Sequence, residues 1–315
     1  MKSKVQLAVE LILGVLVISF ILSKVNLSEA IAILHKIDTF LLFVSILLYI
    51  FTILITAYGL KALFDSIASL TFMRWLKYYM ITFSLGLVLP GRTGEFSIVY
   101  FMKKNNIEIG STTALVIIDK LITLIIFGLV TLLGLFTILN SGELYVGLIA
   151  VLLILFVGCL IFSNLGKKLF NKILGKYSLN FASFHETSRM LLASHKDKLM
   201  INILVTIARP ILNGLLIVIL FASFDYNVSL FYAIIISSIA LIASLVPLTP
   251  NGLGIREGVG LLLFSKIGVP FEASISMYLL ILIMNYLTGA LGVLYYFCTR
   301  EKNLEISSVE QSYHK

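Results

Sequence analysis

The sequence predicts an all-α polytopic membrane protein: six full spans plus two re-entrant helical hairpins, arranged as an inverted repeat. Three observations carry this. Of 315 residues, 59% are hydrophobic and only 13% are charged, about half the ~25% charged share of a soluble domain. Apolar runs close to the ~20 residues that a spanning helix needs recur along the whole chain. Two of these runs are interrupted by short polar stretches of related composition, Pro90-Gly91-Arg92-Thr93-Gly94-Glu95 and Pro247-Leu-Thr-Pro250-Asn251-Gly252-Leu-Gly254-Ile-Arg256-Glu257.

Full spans are predicted at 5–23, 39–61, 111–139, 144–163, 199–223 and 271–298. The first follows Met1-Lys-Ser-Lys4, as a signal peptide would. No small-x-small site ends it and Lys24-Val-Asn26 follows, so it reads as an uncleaved span. Two apolar regions are broken instead: 75–89 and 96–104 flank the first polar stretch, and 230–246 and 258–267 flank the second. Proline removes a helical donor and glycine tolerates positive φ, so helices break there. The second pieces, at 1.5 Å per residue, reach only ~15 Å, half a bilayer. Residues 164–198 mix lysines with Leu169, Phe184 and Leu191 and are expected as a cytoplasmic amphipathic loop on the inner membrane surface. Residues 26–38 suit the same role outside, and 299–315 form a polar tail with no assigned structure.

Charge sets the orientation. The 164–198 loop carries Lys167, Lys168, Lys172, Lys176, Arg189, Lys196 and Lys198, and the tail carries Arg300, Lys302 and Lys315. The 140–143 and 224–229 loops have no Lys or Arg. The positive-inside rule makes the first pair cytoplasmic, and with it both termini. Both ends of 75–104 then fall inside and both ends of 230–268 outside, so neither region crosses an odd number of times. Re-entrant hairpins entering from opposite faces follow. Each half reads as two spans, a hairpin and one span, over 5–139 and 144–298 of a single membrane domain. Glu95 precedes Ser111 by sixteen residues, and Glu257 precedes Ser274 by seventeen. Inverted repeats with broken helices are transporter architecture, with the site at the repeat interface.

Backbone breaks and charges survive inside a bilayer only where protein or a wet cavity surrounds them. Arg92 and Arg256 are therefore the candidate substrate ligands, since guanidinium binds phosphate in a bidentate way. Oriented amides at the helix starts just after each break would assist. Pairing of Arg92 with Glu95, and of Arg256 with Glu257 or Glu95, is the structural alternative. Asp119 and Lys120 lie ~12 Å into their span and are read as charge partners or a proton relay. Arg209, followed by Pro210 and one turn later by Asn213, belongs to the same group. Lys266 is read as a snorkelling side chain and Asn285 as an interhelical hydrogen-bonding residue. The deep charges Arg92, Lys120, Arg209 and Arg256 outnumber Glu95, Asp119 and Glu257, which favours an anionic substrate.

Composition excludes other classes. No polar segment is long enough for a soluble catalytic module of ~100 residues. There is no P-loop, H-E-x-x-H or G-x-S-x-G, and His35, His185, His195 and His314 fall outside the predicted spans. Nothing calls for a cofactor or a metal. Cys159 and Cys298 read as small residues in apolar runs, not as a disulfide. The net charge of +8 is explained by membrane orientation without a nucleic-acid partner.

The segments Leu89-Pro-Gly-Arg-Thr-Gly-Glu95, Ile118-Asp119-Lys120-Leu121 and Pro250-Asn-Gly-Leu-Gly-Ile-Arg-Glu-Gly258 resemble the membrane module of lysylphosphatidylglycerol synthase and its free-standing flippase-like relatives, over about residues 5–298. Asp119-Lys120 departs from that pattern's Asp-Arg. In the synthase, this module accompanies an aminoacyl-transferase domain and is implicated in moving the modified lipid; some relatives carry glycosyltransferases instead. The resemblance implies a cell-membrane lipid translocase acting on an amphipathic, phosphate-bearing lipid. Two alternatives stand beside it: a membrane-embedded transferase using a lipid-phosphate donor, with Glu95, Glu257 or Asp119 as base, and a partner subunit of a separately encoded lipid-modifying synthase or glycosyltransferase.

Overall fold

The protein's structure, a computed structural model, describes residues 33–89, 93–138, 145, 183–245 and 249–312. The expected spans 5–23 and 144–163 (Tyr145 apart) lie outside the described residues, as do residues 164–182 and Pro90, Gly91 and Arg92. The described residues form helices and no sheet: α1 (Thr39–Phe64), α2 (Phe72–Val88), a 3-10 turn (Thr93–Ser97), α3 (Ile98–Lys104), α4 (Ile109–Ile138), α5 (Ser183–Ser194), α6 (Lys196–Ala222), α7 (Leu230–Ser244), α8 (Ile255–Lys266) and α9 (Phe271–Ser312).

Four of these are long and apolar enough to cross a membrane: α1, Ile109–Gly134 of α4, α6, and Phe271–Thr299 of α9. Each matches a predicted span. α1 starts where the Asp38 carboxylate accepts from the Phe40 and Leu41 N–H groups at 2.8 and 3.1 Å, an N-cap that satisfies two otherwise unpaired donors. Its outward side chains Phe40, Phe43, Leu47 and Phe51 are exposed, which suits lipid rather than water. α2, with 17 residues, and α7, with 15, rise only ~25 and ~22 Å, short of the ~30 Å hydrocarbon core.

Lipid tails are as apolar as leucine, so shape fit and interhelical hydrogen bonds hold these helices together. α1 packs on α6, α2 on α9, and α7 on both α4 and α8. Trp75 is fully buried between α1 and α2; its indole stacks at a tilt 4.7 Å from Phe64, and its N–H donates to the Ala57 carbonyl at 2.8 Å. The Ser84 hydroxyl of α2 donates to the Gly289 carbonyl of α9 at 2.7 Å. One apolar cluster gathers around Phe64, Trp75, Met102 and Leu115. A second gathers around Phe221, Phe264, Met277 and Tyr278.

Two segments differ from expectation. α5 buries Phe184 and Leu191 within the protein. Its Thr187 hydroxyl donates to that of Ser111 on α4 at 2.9 Å. The apolar side of 183–194 thus covers α4 instead of facing the membrane surface. α9 runs on to Ser312, through the segment read as an unstructured tail. That segment has neither glycine nor proline to stop the helix and holds good helix formers.

Both polar stretches do interrupt helices. After the first, Gly94 lies against the backbone of Leu85 and Gly86 with no room for a Cβ, so the 3-10 turn folds back onto α2. In the second, Asn251, Gly252 and Gly254 take φ of 50°, 71° and 83°, the left-handed region in which glycine and asparagine cost least. The two breaks touch: the Asn251 N–H donates to the Leu89 carbonyl at 3.2 Å.

A Cβ at Gly252 would collide with Ser244, whereas one at Gly268, also at positive φ, meets nothing within 4 Å. Gly252→Ala should therefore cost ~1–3 kcal/mol more than Gly268→Ala, the range for overpacking. Thermal unfolding of the detergent-purified variants measures the difference; equal losses would contradict this account of the second break.

Candidate functional site

The touching breaks form one wall of a cavity of about 160 Å³, well above the ~15 Å³ that suffices for one water. Helices from both halves of the sequence line it. α4 brings Asp119 and Lys120, the 3-10 turn brings Glu95, and α6 brings Arg209 and Asn213. Asn251 comes from the second break and Arg256 from the first turn of α8. Tyr49 and Asn285 add polar groups from α1 and α9, with the Tyr49 hydroxyl donating to Asn285 Oδ1 at 3.1 Å.

The carboxylates are already engaged. Lys120 makes an ion pair with Glu95 and a second with Asp119 at 3.3 Å. Asp119 is buried, and its Oδ1 accepts from Asn202 Nδ2 at 2.9 Å; the same amide donates to the Gly59 carbonyl at 3.0 Å. One chain of contacts, Glu95 to Lys120 to Asp119 to Asn202, thus ties the first break to α4, α6 and α1. Adjacent residues on a helix point ~100° apart, yet Lys120 bends its long stem back so that its ammonium serves both carboxylates.

The guanidiniums are differently placed. Arg209 donates to the Thr123 hydroxyl at 3.2 Å and sits 5.7 Å from the Phe127 ring centre. Neither is a carboxylate. Arg256 is half-buried, its side chain lines the cavity, and its guanidinium has no hydrogen-bond or ion-pair partner among the described residues. Its neighbour Glu257 turns away and accepts from the Gly254 N–H at 2.6 Å, capping its own helix. The Ile255 and Arg256 N–H groups donate to the Gly252 carbonyl at 3.1 and 3.0 Å. The oriented amides expected to serve a ligand at the start of α8 are therefore used internally, and the side chain of Arg256 is the group offered to the cavity.

Of the residues singled out from sequence, Glu95, Asp119, Lys120, Arg209, Asn251 and Arg256 meet in this cavity. Gly94, Pro250, Gly252 and Gly254 shape its breaks, Glu257 caps α8, and Arg92 lies outside the described residues. Lys266 is exposed at the far end of α8. Sequence reasoning missed Tyr49, Thr52 and Thr56, although their spacing of three and four is a polar stripe down one face of an apolar helix. It also missed Asn202, whose only signal is an amide inside an apolar span. Among the described residues no three His, Cys, Asp or Glu side chains gather as a metal site needs.

Removing Lys120 strips both carboxylates of their shared cation. Lys120→Met should destabilise the purified protein by roughly 1–3 kcal/mol, below the ~3–5 of a fully buried pair, because a third of its side chain (33%) is exposed to the cavity. Adding Glu95→Gln and Asp119→Asn should recover part of the loss, read as melting temperature in detergent. No recovery would mean that the three side chains are not coupled.

Comparison with curated proteins finds no match. Comparison with family models matches residues 7–292 to the lysylphosphatidylglycerol synthase TM region. That span includes both breaks and every described residue that lines the cavity. An all-helical membrane chain with this match belongs to the family of lysylphosphatidylglycerol synthase transmembrane regions.

Proposed function

We propose that this protein is a lipid translocase of the cell membrane, with both termini cytoplasmic, and not an enzyme. The head group of an amphipathic, phosphate-bearing lipid enters the cavity at the meeting point of the two breaks while its chains stay in the bilayer. The observation that carries this is the distribution of charge: Glu95 and Asp119 are occupied by Lys120, while Arg209 and Arg256 face the same cavity with no carboxylate partner among the described residues. Guanidinium is the side chain best suited to phosphate in a site of low dielectric.

The packing order supports the inverted repeat behind this reading. Exchanging α1 with α6, α2 with α7, the 3-10 turn and α3 with α8, and α4 with α9 turns the α2–α9 contact into the α7–α4 contact and returns α1–α6 to itself. Each broken helix thus packs on the last span of the opposite half. In this architecture α2 with the 3-10 turn and α3, and α7 with α8, would form the two re-entrant hairpins, and 5–23 and 144–163 would complete six spans. Rocking of the halves about the touching breaks would open the cavity to each side in turn.

Reconstitution tests the proposal. Proteoliposomes are loaded with head-group-labelled anionic phospholipid, aminoacylated phospholipid or polyprenyl phosphate, with and without a proton gradient. At least one lipid should change leaflets, and Arg209→Gln and Arg256→Gln should each slow it about tenfold or more, the worth of ~1.4 kcal/mol, with melting temperatures held. Movement of none contradicts the translocase reading. Turnover of a lipid-phosphate donor would favour a transferase, and tight co-purification of a lipid-modifying synthase would favour a partner subunit.

A further inference from the structure

The walls of the cavity also carry information on which head group they fit, given that the translocase reading holds. We infer that the site takes a singly charged phosphodiester head group bearing free hydroxyls, and discriminates against head groups bearing an ammonium. Among the described residues the cavity is lined by Lys120, Arg209 and Arg256 against Glu95 and Asp119, three positive charges less two negative, a surplus of one. A phosphodiester supplies a negative charge that this surplus attracts. A head group with one phosphate and one ammonium is neutral and leaves the surplus in place, and a lysyl ester, with two ammoniums, adds to it.

An ammonium entering a site of low dielectric needs a carboxylate to replace its water. The Lys120 ammonium already lies against both carboxylates lining this cavity, and Asp119 also receives the Asn202 amide. An incoming ammonium would approach Lys120 itself and meet like-charge repulsion. A phosphate meets the opposite situation, because among the described residues the Arg256 side chain has no partner and Arg209 is held by a neutral hydroxyl and a ring.

The amides of Asn213 and Asn251 line the cavity and have no side-chain hydrogen-bond partner among the described residues. A side-chain amide offers both donor and acceptor, and a hydroxyl uses both at once. An ammonium can only donate and a phosphate oxygen can only accept. Asn213 stands one turn from Arg209 on α6, so the two side chains are ~6 Å neighbours on one face. That places a hydroxyl-binding amide beside a phosphate-binding guanidinium, as a phosphate followed by a short polyol requires.

Binding to the unaltered, delipidated protein in detergent tests this by calorimetry. The probes are dihexanoyl-phosphatidylglycerol, dihexanoyl-phosphatidylethanolamine, a short-chain lysyl-phosphatidylglycerol, and dihexanoyl-phosphatidylmethanol, which keeps the phosphodiester but has no free hydroxyl on its head. Phosphatidylglycerol should bind at least tenfold more tightly than either ammonium-bearing lipid and several-fold more tightly than phosphatidylmethanol. Asn213→Leu should bring phosphatidylglycerol down to the affinity of phosphatidylmethanol and leave the latter unchanged. Equal or tighter binding of an ammonium-bearing lipid, or no binding of any probe, overturns the inference. Selective binding of phosphatidylglycerol without movement of any lipid in vesicles upholds the inference about the site and removes the translocase reading.

Discussion

A helix interrupted inside hydrocarbon must have its freed polar groups satisfied by protein, and the rest of this structure follows from that requirement. Water cannot reach such a break from the lipid side, so each unpaired group costs several kcal/mol. Here the described parts of the two breaks supply several of those partners to each other and to themselves. The Leu89 carbonyl accepts from Asn251, the Gly254 N–H is capped by Glu257, and Gly252 takes the amides that open α8. Glu95 at the first break is satisfied by Lys120, which is steadied through Asp119 and Asn202. Once these are met, Arg209 and Arg256 are left facing the space between the halves. The site is what remains after the frame has been satisfied.

The frame itself is not symmetric, and the asymmetry generates the surplus charge. In the register that aligns Ser111 with Ser274, Asp119 and Lys120 of α4 fall opposite Leu282 and Ile283 of α9. The glutamate of the first break therefore finds a lysine across the cavity. The glutamate of the second turns back to its own helix, where it accepts from the Gly254 N–H at 2.6 Å. Glu257 is thereby withdrawn from Arg256 and the guanidinium stays open.

The features legible in the sequence are those set by local rules. Proline and glycine located both breaks, apolar length located the spans among the described residues, and the cost of a buried guanidinium placed Arg209 and Arg256 inward. The Glu257 cap obeys a local rule too, since it lies three residues after its N-cap, but a glycine N-cap hides the usual serine or threonine signature. Residues joined only by the tertiary fold were not legible. Asn202 and Asp119 lie 83 residues apart, and Tyr49 and Asn285 lie 236 apart, so nothing in either neighbourhood points to the other. The burial of α5 against α4 was misread for the same reason: an amphipathic stretch between spans shows its apolar face but not what that face covers. The continuation of α9 shows the opposite error, in which polarity was taken as the end of a helix that no residue breaks.

The two breaks meet, and in the proposed function their relative movement carries the lipid. The most direct test of this is a reversible cross-link at the contact, with Leu89→Cys and Asn251→Cys placed in a chain whose native Cys159 and Cys298 are serine. The account predicts rapid cross-linking in membranes, translocation that stops when the bond forms, and recovery when it is reduced. No cross-link, or a cross-linked protein that still moves lipid at the full rate, would contradict it.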